Sequence, residues 1–171
     1  QMGLGIAQVA AQAGIDVKIV DAAPDFAQMG IGKLKKTLDR LVERGKLDGG
    51  ARDQTMARLR AVQEHRDLAD CDVVIEAAPE KEDLKVAIFK SLGSVCRDDA
   101  ILASNTSSIS ITKLGTASAR PDRVIGMHFM NPVPLMKLVE IVRGLPTSDA
   151  TTETVTTLAQ RLGKTVVGAR D

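Results

Sequence analysis

The chain has 171 residues, 44% of them hydrophobic, enough to fill one sizeable core. A net charge of +1 and an aromatic content of 2% argue against nucleic acid as a partner, which calls for a basic face and base-stacking rings. No apolar run approaches the roughly 20 residues needed to span a bilayer, so no membrane is expected. Cys71 and Cys96 have no metal-ligand spacing, and the first residues carry no signal peptide, so the expectation is a cytoplasmic, metal-free protein with reduced thiols.

In chain order, Gln1-Met2-Gly3-Leu4-Gly5-Ile6-Ala7-Gln8 matches the back half of G-x-G-x-x-G, a pattern that follows a strand and opens a helix at a dinucleotide phosphate. Gly3 would be the third glycine, where a missing side chain lets helix and strand pack closely. The first strand and two glycines would then precede Gln1; a flexible tail is the other reading. Residues 6–13 suit a buried helix stopped at Gly14. Residues 17–20 read as a strand ending at Asp21. An acidic residue there grips an adenosine ribose, and Ala22-Ala23 offer no cation for a 2′-phosphate, so NAD is favoured over NADP. The alternative for Asp21 is a cap or turn residue ahead of Pro24.

Residues 25–46 predict a long helix with Ile31, Leu34, Leu38 and Leu41 in one apolar stripe. Lys33, Lys35, Lys36, Arg40, Arg44 and Lys46 outnumber Asp39 and Glu43 there. This basic face is either merely solvated or meets a phosphorylated ligand. Asp48-Gly49-Gly50 breaks the pattern, and 51–59 predict another helix. Residues 72–78 form an apolar run typical of a strand buried on both faces. Small Ala77 and Ala78 allow either a flat cofactor or a helix against the backbone. Glu80-Lys81-Glu82-Asp83 then start a helix carrying Leu84, Ile88, Phe89 and Leu92. Residues 100–104 are the next strand, delivering Asn105-Thr106-Ser107-Ser108 to its carboxyl end, where open α/β sheets bind ligands. That placement favours a functional Ser107 over hydroxyls that only cap a helix beginning near Ser110. Strands over 123–129, 137–142 and 165–167 and a helix over 151–162 complete a β–α alternation. It predicts an α/β fold with a doubly wound, mainly parallel sheet.

The stretch 105–140 concentrates chemistry. His128, one of two histidines, closes its strand; Asn131-Pro132 makes a corner; Glu140 sits in the apolar run Lys137-Leu138-Val139-Glu140. A histidine exchanges a proton near neutral pH, and a carboxylate can hold it in one tautomer and favour its charged form. Alone, His128 reads equally well as a strand-ending residue satisfied by backbone, with Glu140 facing water. As a set with Ser107, these residues favour catalysis.

In this order and spacing, the opening Gly3 motif, Ala103-Ser104-Asn105-Thr106-Ser107-Ser108 and His128-Phe129-Met130-Asn131-Pro132-Val133-Pro134-Leu135-Met136-Lys137 resemble the NAD-binding domain of L-3-hydroxyacyl-CoA dehydrogenases, the bacterial 3-hydroxybutyryl-CoA type in particular. The resemblance covers nearly the whole chain. It implies a Rossmann-like domain over 1–171, lacking its first strand and the helical C-terminal domain that supplies a further catalytic Asn and the homodimer interface. By the same resemblance His128 is the catalytic base, Glu140 its partner, Ser107 a ligand of the substrate oxygen and Asn131 a residue lining the site. Met2, Gly3, Asp21, Ala78, Glu80, Lys85, Asn105 and Ser107 fall at the NAD, and Thr37 and Arg44 lie on the arm beside CoA. A buried Glu140 carboxylate would raise the His128 pKa. The implied reaction is oxidation of a 3-hydroxyacyl-CoA in β-oxidation and fatty acid metabolism, not expected of this stretch by itself. Two other readings stay open: a segment of a multifunctional fatty-acid oxidation protein, and a non-catalytic crystallin-like relative, a group that keeps the His but lacks the Asn-Thr-Ser-Ser and His-Phe-x-Asn-Pro context present here.

Overall fold

The computed structural model describes residues 1–171 apart from the side chain of Pro24. The chain divides into two compact units, Gln1–Glu64 and His65–Asp171.

In the first unit, helix α1 (Met2–Gln12) buries Ile6, Ala7, Val9 and Ala11 and stops before Gly14, as the sequence predicts. Strand β1 (Val17–Ile19) follows, then α2 (Pro24–Glu43) and α3 (Gly49–Ala57). The predicted stripe of α2 is buried at Ile31, Leu34 and Leu38, and these pack with Ala7, Ala11 and Leu59 into the unit's core. The bounds of two predicted helices move. The second helix ends at Glu43 rather than 46, because Gly45 takes a left-handed φ of +68° and its amide turns back to the Val42 carbonyl (2.9 Å). The third begins at Gly49, where the Asp48 carboxylate accepts the Ala51 amide (3.1 Å), and ends at Ala57. Leu59, predicted helical, instead opens an unforeseen strand β2 (Leu59–Ala61), parallel to β1 with Val17 opposite Leu59.

The second unit carries a five-stranded sheet in the order β3 (Val73–Glu76), β4 (Ile101–Ser104), β5 (Val124–Phe129), β6 (Leu138–Arg143), β7 (Thr165–Arg170). Only β5 and β6 pair antiparallel; the α/β, mainly parallel reading holds. Helices α4 (Glu82–Val95), α5 (Ile111–Ser118) and α6 (Asp149–Arg161) connect the strands. Phe89 and Leu92 of α4, Ile111 and Leu114 of α5, and Leu102, Ile125, Met127 and Ile141 of the sheet are all at most 2% exposed. Register aligns the strand ends: Glu76 lies opposite Ser104, and Ser104 opposite Gly126. The loops after β3, β4 and β5 therefore emerge at one edge, where a parallel sheet presents its ligand-binding end.

Close helix packing depends on Gly93. A Cβ built there would lie 2.1 Å from the Ser118 carbonyl oxygen, so α4 and α5 touch backbone to backbone. Gly32, exposed on α2, has nothing within 4 Å of such a Cβ. In urea unfolding, Gly93→Ala should destabilise the protein by about 1–3 kcal/mol or more through overpacking. Gly32→Ala should instead stabilise it by up to about 1 kcal/mol by restricting the unfolded chain.

Candidate active site

The cross-strand register sets the central pair. β5 and β6 place His128 directly opposite Glu140, and His128 Nδ1 lies 2.7 Å from Glu140 Oε2. An ionised carboxylate only accepts, so Nδ1 carries the hydrogen and donates it, leaving the Nε2 lone pair for a proton from elsewhere. The expected burial of Glu140 is corrected: its side chain is 40% exposed and that of His128 22%. The reason is the strand period of two. Val139 and Ile141 face the core, which sends Glu140 to the other face.

At the ends of β3 and β4 stands a closed ring of polar contacts, which joins the expected Glu80, Lys85 and Ser107 to Glu76 and Ser104, residues the sequence reading left without a role. Glu76 at the end of β3 is 6% exposed. Its Oε1 accepts the Ala78 amide (2.5 Å) and the Lys85 ammonium (2.7 Å), and its Oε2 accepts the Ser104 hydroxyl (2.6 Å). Lys85, on α4 and 1% exposed, also donates to the Ala78 carbonyl (3.1 Å) and stands 3.5 Å from Glu80 Oε2. Glu80 Oε1 then receives the Thr106 hydroxyl (2.5 Å) and the Ser107 and Ser108 amides (3.0 and 3.2 Å). The Thr106 amide returns to Ser104 Oγ (3.2 Å), closing the ring. An acidic residue between Ile75 and Ala77 at the end of an apolar run, with Lys85 nine positions on, was the available signal.

The loop carrying Ser107 is thus built on one carboxylate oxygen. That oxygen also meets the Ser107 and Ser108 hydroxyls at 3.3 and 3.2 Å, more donors than its lone pairs can fully serve. The exposed Ser107 hydroxyl has the longest of these contacts and is the one able to turn to another oxygen. Ser107 is not a helix cap: Ser110 caps α5, accepting the Lys113 amide, and Asp171 accepts the Ile111 and Thr112 amides and the Ser110 hydroxyl at 2.7–2.9 Å. Asn105 Oδ1 accepts the Phe129 amide (2.8 Å), tying this loop to the strand that carries His128. Asn131 sits exposed at a cis Asn131–Pro132 bond just past β5.

The first unit holds the other expected residues. Met2 and Gly3 form the first turn of α1. Asp21 is exposed beyond β1, its Oδ1 taking the Ala22 amide (2.7 Å); the N-cap of α2 is Ala23, so Asp21 is not its cap. Thr37 and Arg44 lie on exposed positions of α2 and its C-terminal end. Among the described residues, no three His, Cys, Asp or Glu side chains group as a metal site, and no helix is long and apolar enough to cross a membrane.

Burial of Glu80 works against its charged form, but the Thr106 hydroxyl, the Ser107 amide, the Lys85 charge and the Ser108 amide outweigh it and hold the carboxyl at about 2, down from 4.5. A carboxyl depressed by folding lends stability that is fully present above about 4.5 and is lost as pH falls toward about 2. Urea unfolding across that window should therefore show a steeper acid loss in the wild type than in Glu80→Gln. A carbon-13 titration of Glu80 should give a midpoint near 2.

Known proteins resemble the chain along its whole length. The family described as 3-hydroxyacyl-CoA dehydrogenase, NAD binding domain, matches residues 1–171. A Deinococcus radiodurans protein named "Probable 3-hydroxybutyryl-CoA dehydrogenase" is 51% identical over all of this chain, which covers 61% of that relative. The crystal structure of (S)-3-hydroxybutyryl-CoA dehydrogenase from Ralstonia eutropha superposes with a TM-score of 0.95 at 45% identity, over 99% of this chain and 60% of that one. The fatty acid oxidation complex subunit alpha of Psychrobacter cryohalolentis is 41% identical over 99% of this chain and 24% of its own length. The chain thus spans about three fifths of the dehydrogenases it matches. Matched over residues 1–171, it belongs to the family of NAD-binding domains of 3-hydroxyacyl-CoA dehydrogenases.

Proposed function

We propose that the protein containing this chain oxidises an L-3-hydroxyacyl-CoA to the 3-ketoacyl-CoA, or runs the reverse reduction, with His128 and Glu140 as its acid–base pair. The observation that carries this reading is the 2.7 Å bond between His128 Nδ1 and Glu140 Oε2, beside a loop that presents the Ser107 hydroxyl. Residues 1–171 act as the NAD-binding domain. The substrate arm is the basic helix α2 through Thr37 and Arg44. The homodimer interface lies in a further helical domain, and the protein works in the cytoplasm.

The residues fit NAD. Asp21 has one carboxylate oxygen on the Ala22 amide and a second for ribose hydroxyls. Met2 and Gly3 at the start of α1 suit a phosphate. Ala78, Glu80 and Asn105 lie just past the ends of β3 and β4, with small Ala side chains against which a flat ring can lie, and Lys85, buried on α4, holds the Ala78 carbonyl and stands beside Glu80 there. When bound, NAD supplies the hydride acceptor.

Each residue then has one task. Ser107 donates a hydrogen bond to the substrate 3-oxygen and fixes its direction. His128 Nε2 takes the proton from the 3-hydroxyl as C3 loses hydride, and in the reverse direction the imidazolium returns it to the 3-keto oxygen. Glu140 holds Nδ1–H and balances the imidazolium charge. Asn131 lines the site from the loop after β5.

Cofactor choice follows from Asp21. In the full-length protein, kcat/KM should favour NADH strongly over NADPH, because a carboxylate repels a 2′-phosphate. Asp21→Ser combined with Ala22→Arg should narrow that preference; equal kcat/KM for both cofactors in the unmodified enzyme would sink the assignment.

For the acid–base pair, Glu140→Gln should keep the fold and acyl-CoA affinity and lower kcat. His128→Ala should lose roughly 10²–10⁴-fold or more. Because Glu140 acts only through His128, the two effects should be far from additive in acetoacetyl-CoA reduction followed through NADH absorbance. Equal slowing by Glu140→Gln in the wild-type and His128→Ala backgrounds would refute the pairing.

A further inference from the structure

Residues 131–137 leave β5 just after His128 and return as β6, which carries Glu140. The loop holds Asn131 and is mostly exposed, Leu135 at 78%, with Val133 as its buried side chain. Its internal hydrogen bonds converge on one oxygen, the Pro132 carbonyl, which accepts the Leu135 and Met136 amides (3.1 and 3.0 Å). Two further loop carbonyls, those of Val133 and Met136, accept from a single distant donor, the Lys164 ammonium, at 2.5 and 2.8 Å.

The placement of Lys164 is fixed from both sides. Helix α6 ends at Arg161, and Gly163 just beyond it takes a φ of +76°, with its amide on Gln160 O (2.9 Å) and the Lys164 amide on Ala159 O (3.0 Å). The next amide, Thr165, donates to the Lys137 carbonyl at the far end of the loop (2.8 Å). Lys164 is 9% exposed, and burial holds its amine below the usual lysine range. A methionine of similar length would fill the same space without that desolvation. What only the amine supplies is a pair of donors that locks two loop carbonyls in one geometry.

We propose that Lys164 is a positioning residue of the active site: its buried amine clamps the 131–137 loop through the Val133 and Met136 carbonyls and so sets where Asn131 stands beside the His128–Glu140 pair. This rests on the function proposed above. Lys164 acts through Asn131 and touches neither substrate nor cofactor.

The test uses the full-length enzyme with Lys164→Met, the conservative Lys164→Arg, and both lysine states in an Asn131→Ala background. Lys164→Met should lower kcat for acetoacetyl-CoA reduction about 10- to 100-fold, the scale of a catalytic group misplaced by an ångström, with a thermal midpoint near that of wild type. Lys164→Arg should recover most of the rate. In the Asn131→Ala background the same change should alter kcat by less than about two-fold, since the two act in series. Hydrogen exchange of the Leu135 and Met136 amides should speed up in Lys164→Met. Should Lys164→Met not fold, Lys164→Gln is judged by the same two readouts. Wild-type kcat with unchanged loop exchange, or equal rate losses in both backgrounds, overturns the inference. A wild type that does not turn over acetoacetyl-CoA instead fails the functional reading, and loop exchange then decides the clamp by itself.

Discussion

Glu76 is the constraint on which the second unit depends. A carboxylate taken out of water at the end of β3 costs several kcal/mol unless every lone pair is engaged. Its partners are a backbone amide two residues on, a lysine from α4 and a serine from the neighbouring strand. Satisfying this one charge therefore fixes the exit of the chain from β3, the rotation of α4 and the end of β4 together. The lysine it requires is itself buried and passes the demand to Glu80, whose other oxygen organises the Thr106-Ser107-Ser108 turn. A polar ring of this kind rigidifies when every member is paired and costs most when one is removed. It gives a short exposed loop a precision that loops do not have by themselves.

The His128–Glu140 pair is built on a different basis. Neither side chain is deeply buried. Its geometry comes from ladder hydrogen bonds on both sides rather than from enclosure. The division suits the proposed acid–base role: the ring that shapes the loop is buried, while the proposed proton-exchanging histidine stays nearer solvent.

Much of this was legible from the residues. The strands carried continuous apolar runs, and those runs located β3 through β7 within a residue or two at most boundaries. The Asn131-Pro132 corner after the strand of His128 also pointed to a turn back toward the strand of Glu140, and β5 and β6 do pair as neighbours. β2 escaped because three residues, one of them Arg60, cannot display a period, and Leu59 continued the helical spacing of α3. Burial of Glu140 was misjudged because apolar neighbours on a strand point away from the residue between them. Glu76 read as one polar residue in a buried run; its meaning needs Lys85 and Ser104, which only the folded chain brings to it. Asp171 capping α5 and Lys164 reaching the 131–137 loop are likewise long-range contacts with no local signature.

The single reversal of direction in the sheet has a consequence for how this lineage can change. β6 runs against β5, so His128 and Glu140 face each other only while the hairpin's arms stay in step. A slip of one position would turn the acidic side chain into the core and bring Val139 or Ile141 out to water. With both ends of the connecting segment also held, at Pro132 and at Thr165 against Lys137, its length is frozen although exposed side chains such as Leu135 are free to drift. Insertions and deletions among descendants should collect instead where no ladder keeps count, as in the exposed turn between α2 and α3.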